Sequence, residues 1–99
     1  MTKLRIDLRE GFSGDAVEIS VDGRAAYSKA NVRTDYSVGV ADFVELDAAG
    51  TTAQVEVRVP ARGLVERATI SLRAPMQHVA VVLGDRIEIK ALEAPPEYF

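Results

Sequence analysis

Carboxylates near turn signals are the first residues in this sequence with chemistry to offer. Asp15, Asp22, Asp35, Asp42, Asp47 and Asp85 all stand within a few residues of a glycine or serine turn signal. Calcium takes about six to eight oxygen ligands, often from loops, and paired carboxylates can share acid and base roles. If consecutive strands alternate in direction, loops 10–15, 30–37, 60–63 and 84–85 meet at one end of the molecule. That end would hold Phe12, Asp15, Asp35, Tyr36 and Asp85, a candidate ligand site for a small molecule, a glycan or Ca2+. Arg33 and Arg62 stand beside it and would compete for the carboxylates. No D-x-D-x-D run is present, and aspartate favours turns on its own account by bonding to nearby backbone. Neither a metal nor a cofactor is expected.

The remaining residue types offer less. His78 is the lone histidine; one imidazole cannot build a multi-histidine site, so it is read as a structural or surface residue. The segment Gly11-Phe12-Ser13-Gly14 leads into a strand, and so lacks the helix N-terminus that makes phosphate loops work. Sugar-binding sandwiches usually present Trp, and the chain has none. The tail Pro95-Pro96-Glu97-Tyr98-Phe99 is stiff and aromatic. It can dock on a partner or cover a sheet of its own or of a second copy, which makes Tyr98 and Phe99 the candidate interface.

Composition narrows the class. Ninety-nine residues with 47% apolar side chains suit one domain. Twelve bases against fifteen acids leave a net charge of −3, and the bases are scattered. No patch gathers the charge that phosphate contacts need, so nucleic acid is not an expected partner. The absence of cysteine removes disulfides and thiolate metal sites and points to a reducing compartment. Residues 1–7 alternate charged and apolar, unlike a signal peptide. No run approaches the ~20 apolar residues of a membrane span. A cytoplasmic protein without membrane contact is expected.

The elements that must position these groups are strands. Val17, Ile19 and Val21 alternate with polar residues and are followed by Asp22-Gly23, a pair that supplies the positive φ angles of a two-residue hairpin turn. Period-two patterns recur over residues 3–9, 15–21, 24–28, 52–59, 64–73, 77–83 and 86–92. An eighth, over 38–47, slips phase at Phe43, which predicts a bulge near 41–43. Residues 30–37 have no period and read as a crossover between sheets. Gly84-Asp85 reads as a second two-residue turn. Residues 77–83 are apolar on both faces, so that strand is central or covered on its outer side. The fold class is all-β: a two-sheet antiparallel β-sandwich of seven to eight strands, with immunoglobulin-like or transthyretin-like topology. A small closed β-barrel is the alternative. Residues 1–92 form the sandwich domain and 93–99 an extended C-terminal tail.

Architecture alone transfers no function. The sequence favours a non-catalytic interaction module that binds a protein partner or self-associates as a homo-oligomer. The alternative is a domain that uses the loop-end residues for a small molecule, glycan or Ca2+.

Overall fold

The computed structural model describes residues 2–73 and 75–92. Eight strands follow in order: β1 (Thr2–Leu8), β2 (Ser13–Val21), β3 (Arg24–Arg33), β4 (Asp42–Ala48), β5 (Thr52–Val59), β6 (Leu64–Ser71), β7 (Met76–Leu83) and β8 (Ile87–Leu92). A 3-10 turn, Pro60–Arg62, joins β5 to β6. The strands form two stacked four-stranded sheets, in orders β4-β1-β7-β8 and β3-β2-β5-β6. This is an open sandwich, not a closed barrel. β1 and β7 pair in parallel at the centre of the first sheet, and every other pair is antiparallel.

Alternation decides what each sheet buries. Leu4, Ile6 and Leu8 of β1 and Val79 and Val81 of β7 have no exposed surface. They meet Val17, Ile19, Val55, Val57 and Val59 of the second sheet in one core. Each such side chain contributes about 1.5–3 kcal/mol by leaving water. β7 is central, between β1 and β8, as its apolar faces require.

Local chemistry sets the turns. Asp22 (φ 51°) and Gly23 (φ 81°) carry the paired positive angles of the expected hairpin, and Val21 pairs with Arg24 across it. The second expected two-residue turn is longer: Leu83 pairs with Ile87, and the Gly84 amide donates to the Arg86 carbonyl across a three-residue loop. The expected bulge near 41–43 is absent, because β4 pairs with β1 in unbroken register from Leu8–Asp42 to Thr2–Ala48. Residues 36–39 form instead a turn closed by the Asp35–Val40 bridge, and Ala41 follows it with its amide donating to the Leu8 carbonyl. Register shifts occur between β2 and β3, near Asp15, Val17 and Ile19. They let β3 run on to Arg33 and push the crossover to 34–41.

Candidate functional site

The loops 10–15, 34–41, 60–63 and 84–86 do converge at one end of the sandwich, where most of their polar groups serve as mutual ties. The Phe12 amide donates to Thr34 Oγ1 (3.1 Å), and that hydroxyl donates to the Arg9 carbonyl. The Leu83 amide donates to the Glu10 carbonyl (2.9 Å), and the Gly11 amide donates to the Tyr36 hydroxyl (3.2 Å). Phe12 is buried, at 2% exposure, and packs in the core. Asp15 accepts from the Ser13 amide (2.9 Å) and from two nitrogens of Arg62 (2.9 and 3.2 Å). Burial alone would push its carboxyl up, but the Ser13 amide and the Arg62 guanidinium outweigh it and hold it below the ordinary range. Asp35 accepts from the Ser37 hydroxyl and amide (2.6 and 3.0 Å), which hold it low. Tyr36 is exposed, as is Asp85. The loops thus meet at one end, where Asp15 is engaged by Ser13 and by Arg62 of a neighbouring loop and Asp35 by Ser37 of its own. Among the described residues no three of His, Cys, Asp or Glu are grouped to hold a metal ion. Tyr98 and Phe99 lie outside the described residues.

Two features that sequence reasoning missed stand elsewhere. On one flank of the sandwich β6 packs against β8. On the other, β3 and β4 leave a cleft of about 600 Å³, within the range of ordinary ligand pockets. Its apolar lining includes Ala25, Ala26, Val44 and Leu46, and the exposed carboxylates Asp22 and Asp47 border it too. Val44 and Leu46 occupy inward positions of β4 yet stay half-buried, at the cleft where β3 and β4 part. Beyond Ala26 and Val44 the sheets are tied together. There the Tyr27 hydroxyl and the Lys29 ammonium both donate to Asp42 Oδ2 (2.9 and 3.2 Å).

The second feature is the outer face of the first sheet. Asp7 points away from the core, with Phe43 of β4 on one side and Ala80 of β7 on the other. Its side chain nevertheless has no exposed surface. Oδ1 accepts from Arg5 Nε (3.1 Å), and Arg5 also donates to Glu45 (3.0 Å) and lies 4.1 Å from the Phe43 ring centroid. Oδ2 of Asp7 is buried without a hydrogen-bond partner among the described residues, and so is Nδ1 of His78. His78 is opposite Arg5 on β7, hence on the same face and diagonal to Asp7. The signal for this site was present in the sequence as the two-faced apolarity of β7, whose Ala80 is the residue opposite Asp7.

Among the described residues no helix is long and apolar enough to cross a membrane. Compared with known proteins, the chain matches no family model, no curated sequence and no solved structure.

Proposed function

We propose that this protein is a non-catalytic interaction module, and that the cleft between β3 and β4 receives an extended segment of a protein partner. The observation that carries this reading is the half-burial of Val44 and Leu46, inward-facing side chains left uncovered where the two sheets part. Both walls of the cleft are edge strands. An edge strand directs every second N–H and C=O away from its one neighbour. A segment laid alongside would satisfy those groups, and its alternate side chains would fill the apolar floor. Half-buried aliphatic surface with a charged rim is the usual anatomy of such a contact.

The test is selection of displayed extended peptides on the full chain, with Leu46→Glu and Ala26→Glu as counter-screens. Selected peptides are expected to lose at least about tenfold in affinity on each variant, while both variants keep the wild-type circular dichroism spectrum. Failure to select any peptide, or peptides indifferent to both substitutions, would refute the proposal. Concentration-dependent dimerisation that Leu46→Glu abolishes would instead identify the occupant as a second copy of the chain.

A further inference from the structure

We infer that the partner received by the β3–β4 cleft is a second copy of this chain, related by a two-fold axis that sets β3 of each copy against β4 of the other. The inference rests on the cleft reading proposed above and names its occupant.

The two walls of the cleft carry opposite charge. The charged side chains of β3 are Arg24, Lys29 and Arg33, all bases. Those of β4 are Asp42, Glu45 and Asp47, all acids. The edge strands of the other flank are not divided in this way: β6 carries Glu66 beside Arg67, and β8 carries Glu88 and Lys90. Like charges across a strand pair repel and opposite charges attract. A β3 edge is therefore mismatched to another β3, and a β4 edge to another β4, whereas β3 against β4 is matched. Within one molecule the two strands belong to different sheets, where Lys29 meets Asp42. Glu45 and Asp47 meet Arg5 and Lys3 of β1 and remain exposed, as does Arg24 at the cleft.

The strand directions allow the matched pairing in a closed form. Tyr27 and Lys29 reach Asp42, the first residue of β4. From there the cleft continues back along β3 to Arg24 and forward along β4 to Ala48. The two strands thus run in opposite directions along the flank. A two-fold axis on that flank, parallel to the strands, exchanges the upper and lower sheets. It brings β4 of one copy beside β3 of the other in antiparallel orientation, and the reciprocal pair forms in the second layer. Both edges of the flank are then used, so assembly closes at two copies.

The apolar surface fits the same arrangement. The two clefts face each other across the axis, and Ala26, Val44 and Leu46 of one copy meet their counterparts. The half-buried Val44 and Leu46 thereby gain the cover that their own second sheet does not give them. Because the axis lies parallel to the strands, Lys29 of one copy stands at the level of Asp42 in the other.

Two reciprocal charge reversals in the full chain test the pairing. Arg24→Glu with Arg33→Glu turns the β3 wall acidic, and Glu45→Lys with Asp47→Lys turns the β4 wall basic. Sedimentation equilibrium of the wild type is expected to show a dimer that added salt weakens. Each double variant alone should raise the dimer Kd at least about tenfold while keeping the wild-type circular dichroism spectrum. Mixing the two variants should restore association, because each wall then meets its opposite. A wild-type dimer whose Kd neither variant changes, or variants that stay apart when mixed, overturns the inference. A wild type that is monomeric at about 1 mM but binds selected peptides in the cleft also overturns it, and leaves the cleft reading standing. A monomer that selects no peptide overturns both.

Discussion

At the scale of single residues, the loop end shows how little latitude some positions have. Gly11 has φ +94°, and a Cβ there would sit 1.6 Å from the Leu83 carbonyl oxygen, a backbone atom that cannot swing aside. Gly11→Ala must therefore move either the loop or β7, and it is expected to cost more than about 3 kcal/mol in urea unfolding. Gly23 is the comparison: its φ is also positive, but open space surrounds it. Gly23→Ala should cost only the backbone strain of about 1–2 kcal/mol. Arg62 makes a different case. Replacing it with Met leaves Asp15, which is 9% exposed, with the Ser13 amide as its remaining donor. A loss of about 1–2 kcal/mol at neutral pH is expected. The acid transition should also move to higher pH, because the ion pair that keeps the carboxyl ionised is gone. Urea melts of Arg62→Met at neutral and acid pH measure both effects.

At the scale of elements, β1 is the strand on which the first sheet depends, since it pairs with β4 on one side and β7 on the other. Ile6→Ala, at a site with no exposure, is expected to lose about 2–5 kcal/mol. Val65→Ala on the edge strand β6, where the side chain is 55% exposed, should change stability by less than about 0.5 kcal/mol. Thermal unfolding of the pair checks the contrast. How far the elements were legible follows from the range of the forces that make them. β5 was readable to the residue, because its alternation is uninterrupted and Pro60 stops it. The Asp22-Gly23 hairpin was equally plain, as its φ angles are a property of two residues. β3 was truncated in the sequence reading because its bulged pairing with β2 and the left-handed Asn31 (φ 59°) erase the period. Val38 and Val40 mimicked a strand, but Asp35 recruits that stretch into a turn through Ser37, Val38 and Gly39. The cleft arises where β3 and β4 part, and alternation within one strand carries no record of it. The buried Asp7 left only an indirect trace, the apolar outer face of β7 that pairs Ala80 with it.

At the scale of the whole molecule, stability is bounded on both sides of neutral pH. Burial would raise the Asp42 carboxyl, but the Phe43 amide, the Tyr27 hydroxyl and Lys29 together hold it low, and Asp15 is held low as well. Groups lowered on folding add stability above their unfolded values and lose it as the pH falls through the folded ones. Acid should therefore loosen both the loop end and the β3–β4 tie. Tyr27 behaves oppositely. Burial and then Asp42 raise its hydroxyl well above the ordinary tyrosine value of about 10, so its contribution holds below that ordinary value and is lost as the pH climbs toward the folded one. Tyr27→Phe is expected to cost about 1 kcal/mol at neutral pH and to flatten the alkaline decline expected of the wild type, with denaturant midpoints above about pH 10 as the measurement that checks it. The parallel pairing of β1 with β7 also bears on how the chain is made. A ribosome working along it releases Leu4, Ile6 and Leu8 early, yet their parallel neighbour does not exist until Met76–Leu83 has emerged. All four strands of the second sheet, complete at Ser71, can be assembled by then. Sheet two can thus form during synthesis, whereas β1 must be kept from straying until translation has nearly passed the last strand.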